Sequence, residues 1–120
     1  MKTATVLIVE DDPDTREMLG KFLELEGFQV ETAANGQQAL DRLENGVAPG
    51  VIVLDLMMPI MDGWEFRRRQ VADERFATIP TIVVSAAGRD RMAKVSADAY
   101  LAKPIDMDEL LTRVAEFCQS

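Results

Sequence analysis

The 120-residue sequence has the size of a single domain, and its 48% apolar content is enough to build a hydrophobic core. Its 13 basic and 21 acidic residues give a net charge of −8, which argues against binding to nucleic acid or to an anionic membrane. The sequence contains no histidine, so catalytic triads, histidine bases and histidine metal sites are excluded. Any chemistry must therefore use carboxylates, lysine and hydroxyl groups.

Cysteine content and hydropathy indicate the compartment. Cys118 is the single cysteine and has no partner for a disulfide within the chain, as expected in a reducing environment. The first apolar run, residues 6–9, is too short for a signal peptide or a membrane span. These features predict a soluble, cytoplasmic protein.

The first predicted strand, residues 5–10, is apolar and rich in β-branched residues until it meets Glu10, Asp11 and Asp12. Asp12 can cap the helix that follows, because Pro13 suits the first helical position. Apolar residues then recur at helical spacing until Gly27 ends the helix.

Residues 28–33 predict a short, more polar strand near a sheet edge, followed by a brief amphipathic helix that ends at Asn45 and Gly46. Residues 51–54 are apolar without interruption, which is typical of a strand buried on both faces. Asp55 ends this strand. An unpaired buried anion would cost several kcal/mol, so we expect Asp55 at the carboxyl edge of the sheet, where open α/β sheets bind ligands.

Residues 56–62 predict a loop, and Asp62 can cap a helix over residues 64–72. Arg67, Arg68 and Arg69 point in three directions on that helix, which favours a solvated face over a site for phosphate or nucleic acid.

In the last third of the chain, predicted strands continue to alternate with predicted helices. Residues 81–85 predict a buried strand ending in Ser85, residues 89–97 a helix of about two turns, and residues 99–102 a strand ending before Lys103. Asp106, with Glu109 three residues later, can start the final helix. Residues 1–120 thus predict one domain, an α/β fold with five parallel strands covered by helices on both faces.

Parallel strands present their carboxyl ends at the same edge, so Asp11, Asp12, Asp55, Ser85 and Lys103 should converge there. Three carboxylates in one place repel each other unless a cation joins them, and all-oxygen ligation favours Mg²⁺ over zinc. An aspartate can act as a nucleophile and form an aspartyl phosphate, while a lysine and a hydroxyl would neutralise and position the phosphoryl oxygens.

Four segments, EDD at residues 10–12, DLMMPIMDG at 55–63, SA at 85–86 and AYLAKP at 99–104, resemble the signature blocks of response-regulator receiver domains. The resemblance covers the whole chain. It implies a (βα)5 flavodoxin-like three-layer sandwich with strand order 2-1-3-4-5. It also implies a single receiver domain, without an output domain.

The resemblance assigns roles to individual residues. Asp55 matches the phospho-acceptor. Asp12, Asp55 and the backbone carbonyl of Met57 match the Mg²⁺ ligands, and Asp11 would contribute through a metal-bound water. Mn²⁺ is an alternative to Mg²⁺ as the cofactor.

The family pattern also assigns roles to the residues that would contact the phosphoryl group or respond to it. Ser85 matches the hydroxyl that follows the phosphoryl group on activation, and Lys103 matches the lysine that pairs with it. Tyr100 matches the aromatic residue whose rotamer is coupled to that hydroxyl, although a half-buried strand tyrosine with no switching role is the alternative. The peptide bond between Lys103 and Pro104 is expected to be cis.

The chain departs from the family pattern in one place. Eighteen positions separate Ser85 from Lys103, about one helical turn fewer than is usual in receivers, and Ser96 replaces a usual glycine. We therefore expect a shortened fourth helix. In the family this helix contributes to the usual output or dimer face, so the departure bears more on partners than on chemistry.

The resemblance implies that a sensor histidine kinase or a histidine phosphotransfer protein donates a phosphoryl group to Asp55. The expected result is a population shift at Ser85 and Tyr100 that a downstream protein target recognises. A homodimer is a further option, whereas direct nucleic-acid binding and membrane insertion are not expected. The chain would not be an enzyme in the usual sense, because it would catalyse only its own phosphorylation and dephosphorylation.

Three other functions are open to such a sequence. A phosphatase of the haloacid-dehalogenase type would need a second aspartate two residues after the first, where this chain has Met57. A scaffold or dimerisation module that keeps the site without using it is supported by the shortened fourth helix. A flavin-binding flavodoxin relative is disfavoured because the strand-end loops are acidic.

Overall fold

The computed structural model describes residues 4–118 of the chain. The strands are β1 (Thr5–Val9), β2 (Gln29–Ala33), β3 (Val51–Asp55), β4 (Thr81–Ser85) and β5 (Ala99–Ala102). The helices are α1 (Pro13–Leu25), α2 (Gly36–Glu44), α3 (Gly63–Ala72), α4 (Arg89–Met92) and α5 (Met107–Cys118). All strand pairs are parallel, in the order β2-β1-β3-β4-β5, which confirms the predicted fold class and places β2 at an edge.

The core lies in two layers because successive side chains of a strand point to opposite faces of the sheet. On β1, Leu7 and Val9 pack in the layer that contains residues of α2 and α3. Val6 and Ile8 pack in the other layer, with residues of α1 and α5. Burial on both faces explains why the central strands are apolar without interruption.

Strand register brings the functional strand ends close together. Asp55, the last residue of β3, pairs with Val84 of β4. Ser85, the last residue of β4, pairs with Ala102 of β5, one residue before Lys103. The carboxyl ends of these three neighbouring strands therefore form one continuous edge.

Two helix starts confirm the sequence prediction. The Asp12 carboxylate accepts a hydrogen bond from the backbone N–H of Thr15 at 2.9 Å, and Asp62 accepts one from the N–H of Glu65 at 2.9 Å. Such caps satisfy backbone donors that have no partner within the helix. The peptide bond between Lys103 and Pro104 is cis, as the family resemblance implied.

The fourth helix is shorter than the predicted span of residues 89–97, because α4 comprises only Arg89–Met92. After it, the N–H groups of Lys94 and Val95 bond to carbonyls three residues earlier, which is a turn rather than an α-helix. Side chains hold the next stretch of backbone: Arg67 donates to the carbonyl of Ser96, and the Tyr100 hydroxyl bonds to Val95 and Ala97. These side-chain bonds take the place of the backbone hydrogen bonds that a longer helix would make.

The prediction of a solvated face for the three consecutive arginines is wrong for Arg67, which is 8% exposed. Its guanidinium donates to the side chains of Gln70 and Thr81, each at 3.0 Å, and to the carbonyl of Ser96 at 2.7 Å. Arg68 and Arg69 are exposed and pair with Glu65. Arg67 is buried because it lies on the inward face of α3, one turn before Gln70.

No helix in the part of the chain that the structure describes, residues 4–118, is long and apolar enough to cross a membrane. Cys118, the last of these residues, is partly buried and carries a free thiol.

Replacing Arg67 with methionine should lower the free energy of unfolding by about 2–3 kcal/mol, because buried acceptors lose their donor. Arg68→Met is the matched control and should change it by less than about 0.5 kcal/mol, since exposed ion pairs contribute little. Urea denaturation monitored by circular dichroism measures both. Equal effects of the two substitutions would contradict the assigned role of Arg67.

Candidate functional site

The carboxyl ends of the strands bring a lysine against two carboxylates. Lys103 follows β5, Glu10 follows β1, and Asp55 ends β3. The Lys103 Nζ atom lies 2.7 Å from Oε1 of Glu10 and 3.5 Å from Oδ2 of Asp55. The expected convergence of Asp55 and Lys103 is therefore present in the structure.

A cluster of three acids surrounds this contact. Glu10, Asp11 and Asp55 each offer a carboxylate oxygen, and these oxygens lie within 4.8 Å of one another. Burial, together with a hydrogen bond to Glu10 and the charge of Glu10, raises the pKa of Asp11 above its usual value. The acids thus repel one another where only Lys103 opposes their charge.

Lys103 is held in its charged form by these neighbours. Burial alone would lower the pKa of Lys103, but the hydrogen bond to Glu10 and the charges of Asp55 and Glu10 raise it overall. The ammonium group therefore remains protonated at neutral pH and can neutralise one negative charge of the cluster.

One oxygen of Asp55 has no partner. Asp55 is 6% exposed, and its Oδ1 atom is buried without a hydrogen bond among the described residues. An unsatisfied buried carboxylate oxygen is costly, and such groups are rare unless they serve a function. Because Glu10 and Asp11 add only further carboxylate oxygens, the donor set suits a hard divalent cation such as Mg²⁺.

Asp12, which was expected to be a direct metal ligand, does not belong to this cluster. Its Oδ2 atom accepts hydrogen bonds from the N–H of Thr15, at 2.9 Å, and from the Thr15 hydroxyl. These bonds lower the pKa of Asp12. Both bonds go to Oδ2, so the cap leaves Oδ1 of Asp12 without a hydrogen bond among the described residues. The charge of Lys103 also lowers the pKa of Asp12, which places this carboxylate near the strand edge. The role of Asp12 as a metal ligand stays a prediction.

Glu10 is the site residue that sequence reasoning missed. It was interpreted only as the end of the first strand, yet it is 3% exposed and contacts Lys103. The signal was present in the sequence: Glu10 is the first charged residue after the buried run of β1, so the convergence expected of the strand ends applies to it as well.

Ser85 is the last residue of β4, one position after Val84, which pairs with Asp55, and Tyr100 lies within β5, where it pairs with Val83. Ser85 is buried, and its Oγ atom accepts a hydrogen bond from the N–H of Ala87 at 3.1 Å. The Tyr100 side chain is 43% exposed; its hydroxyl donates to the carbonyl of Val95 and accepts from the N–H of Ala97. In this conformation the tyrosine is bonded to the segment after α4.

Gly63 allows α3 to approach the end of β3. A Cβ atom on Gly63 would clash with the Asp55 carbonyl oxygen and with the backbone of Leu56, at separations that no side chain could tolerate. The N–H of Gly63 donates to the carbonyl of Leu56 at 2.8 Å. Only glycine at position 63 therefore allows this close packing of α3 against the end of β3. Met57, in the loop between Asp55 and Gly63, is 41% exposed.

Comparisons with known proteins agree with this geometry. The family model described as a response regulator receiver domain matches residues 6–115. The response regulator Rre1 of Synechocystis sp. is 39% identical over 111 residues, which cover 88% of this chain. The chain spans 48% of the length of Rre1.

Two solved structures share the fold closely. The receiver domain of the sensor histidine kinase PA1611 from Pseudomonas aeruginosa, solved with a magnesium ion coordinated in the active site cleft, has a TM-score of 0.88 and 28% identity, covering 99% of this chain and 100% of that chain. The response regulator TrrA from Thermotoga maritima, in complex with Mg²⁺ and BeF, has a TM-score of 0.85 and 29% identity, covering 96% and 99%. With the family match over residues 6–115, these likenesses show that the chain belongs to the response-regulator receiver domain family.

Proposed function

We propose that this receiver accepts a phosphoryl group on Asp55 from a phosphohistidine of a sensor histidine kinase or a histidine phosphotransfer protein. The observation that carries the proposal is the buried, unpartnered Oδ1 atom of Asp55, in a carboxylate whose other oxygen faces Lys103. A carboxylate with a free oxygen can act as a nucleophile toward phosphorus. The sequence contains no histidine, so the phosphohistidine of the donor would lie outside these 120 residues.

The transfer exchanges one bond for another. A carboxylate oxygen of Asp55 forms a bond to phosphorus while the bond between phosphorus and the donor imidazole nitrogen breaks. The imidazole leaves with the bonding electrons, and the product is an acyl phosphate on Asp55. Lys103 contributes by neutralising charge on the transferred group, since positioning and electrostatics supply most of the catalysis of phosphoryl transfer.

A divalent cation fits the acidic cluster. Glu10, Asp11 and Asp55 would hold Mg²⁺, and Asp12 and the Met57 carbonyl remain predicted additional ligands. When bound, the ion would neutralise charge on the phosphoryl oxygens. The support comes from the carboxylate geometry and from the PA1611 and TrrA structures, which contain magnesium. Mn²⁺ has the same preference for oxygen ligands and is the proposed substitute.

Ser85 and Tyr100 are the proposed switch. Ser85 would bond to a phosphoryl oxygen, which its position at the end of β4, next to the Asp55 strand, supports. Tyr100 would then exchange its bonds to Val95 and Ala97 for an inward rotamer. The response would be a shift between two populated states rather than a new fold.

The phosphorylated surface would be recognised by a downstream protein. Relatives such as Rre1 are about twice as long as this chain, so their activities as whole proteins do not transfer directly. The short α4 keeps a second candidate open, a scaffold or dimerisation module that does not switch. Equal affinity for a partner with and without phosphorylation would favour that candidate.

We predict that acetyl phosphate with Mg²⁺ adds one phosphoryl mass to the protein, because Asp55 offers the only strand-end carboxylate whose free oxygen is buried beside Lys103 among the described residues. Intact mass spectrometry measures the adduct. Asp55→Asn should abolish it, since the amide is not a nucleophile.

Asp62→Asn is the matched control for this measurement, because it also converts an aspartate to its amide, at the N-cap of α3, where asparagine remains a good cap. It should label like the wild type. Persistent labelling of Asp55→Asn would overturn the assignment of the phospho-acceptor, and labelling without Mg²⁺ would overturn the need for the cation.

The assignment of the metal ligands gives a second prediction. Asp11→Asn should weaken Mg²⁺ binding by at least about tenfold, a loss that even outer-shell partners of a metal typically cause. Asp62→Asn is the control and should leave Mg²⁺ binding unchanged, because the side chain of Asp62 caps α3 and is not a predicted ligand. Titration with Mg²⁺, followed through the fluorescence of Trp64, the only tryptophan, measures both affinities.

Thermodynamic linkage provides an independent check. Mg²⁺ at ten times its Kd should raise the free energy of unfolding of the wild type by about 1.4 kcal/mol, because the cation binds the folded state. At the same Mg²⁺ concentration, a tenfold weaker Kd reduces the increment to about 0.4 kcal/mol, so it should fall to that value or below in Asp11→Asn. It should stay at about 1.4 kcal/mol in Asp62→Asn. A full increment in Asp11→Asn would refute the assignment of Asp11 to the metal site.

A further inference from the structure

Arg16 bonds to the backbone of the two acids that precede α1. Its Nη1 atom lies 2.8 Å from the carbonyl oxygen of Glu10 and 3.3 Å from that of Asp11. Arg16 is the fourth residue of α1, and its own N–H donates to the carbonyl of Asp12 at 2.9 Å. One side chain therefore links the start of the helix to the loop that carries the acids.

The position of this charge is electrostatically unfavourable by itself. The N-terminal end of a helix carries partial positive charge, so cations are favoured at the opposite end. Arg16 also has the same sign as the cation that the neighbouring acids would bind. Two backbone hydrogen bonds from a charged donor compensate for this placement, because charge-assisted hydrogen bonds are stronger than neutral ones.

The choice of acceptors matters for the acids. Among residues 4–118, Arg16 makes no ion pair with a carboxylate, although Glu10 and Asp11 are its near neighbours. It bonds to their carbonyls and not to their carboxylates. The Glu10 carboxylate bonds instead to Lys103 and to the N–H of Asp12, and that of Asp11 lies in the cluster with Asp55.

Holding the backbone is necessary because the carboxylates repel one another. Their oxygens lie within 4.8 Å, and the loop would relax to separate them if nothing fixed it. A site kept in its binding geometry before the cation arrives avoids the cost of ordering the loop during binding. Arg16 supplies this restraint from a rigid helix.

We propose that Arg16 is a positioning residue for the divalent-cation site, acting through the carbonyls of Glu10 and Asp11. This inference rests on the proposed cation binding by Glu10, Asp11 and Asp55. It assigns Arg16 no contact with the cation and no part in the transfer of the phosphoryl group.

Two substitutions of Arg16 distinguish the effect of its backbone hydrogen bonds from the effect of its positive charge. Arg16→Met removes both the charge and the hydrogen bonds. Arg16→Lys keeps the charge but replaces the guanidinium, whose Nη1 atom bonds to both carbonyls, with a shorter side chain. Methionine and lysine are both good helix formers, so α1 should persist. Lys21→Met is the matched control, because Lys21 is an exposed cation on the same helix that pairs only with Glu17 among the described residues.

The expected result is an Mg²⁺ affinity about tenfold weaker in both Arg16 variants, in the range typical of outer-shell partners, and unchanged in Lys21→Met. The affinity is measured by titration of MgCl₂ into the full chain, with unfolding in EDTA as the measure of metal-free stability. If Arg16 acted only through its charge, the change in Mg²⁺ affinity would be the opposite. Arg16→Met would bind Mg²⁺ more tightly than the wild type, and Arg16→Lys would bind it equally well.

Each remaining outcome has a defined meaning. Lower stability in EDTA with unchanged Mg²⁺ affinity would make Arg16 a structural residue and overturn the inference. If the wild type itself binds no Mg²⁺, the proposed function fails and the inference fails with it. Should Arg16→Met not fold, Arg16→Lys alone decides, because it separates a lost restraint from a retained charge.

Discussion

The contact of Lys103 with Glu10 and Asp55 is the interaction on which the functional edge of this domain depends. Two of the three clustered acids are almost completely buried, and unit charges about 5 Å apart repel by roughly 3 kcal/mol at an effective dielectric constant near 20. The ammonium at 2.7 Å and 3.5 Å opposes that repulsion. It does so only in part, because one positive charge faces three negative ones. The site therefore retains a net negative charge and a free oxygen on Asp55, the two properties that a cation and an electrophilic phosphorus require.

The parallel sheet is what makes this arrangement available. All strands of a parallel sheet run in the same direction, so their carboxyl ends lie at one edge. Residues far apart in sequence can therefore meet there. Glu10 and Lys103, separated by 93 positions, meet because β1, β3, β4 and β5 are neighbours in one sheet. Charged residues are disfavoured inside the buried strands, so they first occur at the carboxyl end of a strand or directly after it, as Asp55 and Glu10 do. The apolar core and the acidic edge therefore follow from the same rule, that charge is excluded from the interior.

Much of this could be predicted from the sequence, because buried parallel strands and capped helices leave local signals. Uninterrupted apolar runs located β1, β3 and β4, and the Asp12–Pro13 pair located the start of α1. Other side chains were ambiguous because the local pattern allows them to act in two ways. Asp12 fits both a cap and a metal site: the structure contains the cap, and the metal site stays a prediction. Arg67 looked like a solvent-facing charge, although Gly63, Phe66, Arg67 and Gln70 form one buried helical stripe.

The segment after α4 shows how a long-range contact can substitute for local structure. An ordinary helix satisfies its backbone groups internally, but α4 has only four residues, and side chains from other elements bond to the backbone beyond it. Arg67 donates to the carbonyl of Ser96 in this segment, and Trp64 donates to the carbonyl of Arg91 within α4, so α3 is bonded both to the segment and to the helix before it. Tyr100 bonds to the same segment from β5. Because α3 begins immediately after the loop that follows Asp55, the segment is connected to β3, which carries the proposed phospho-acceptor, by α3 as well as by β4. A shortened helix in this domain thus removes local hydrogen bonds without detaching the segment from the site.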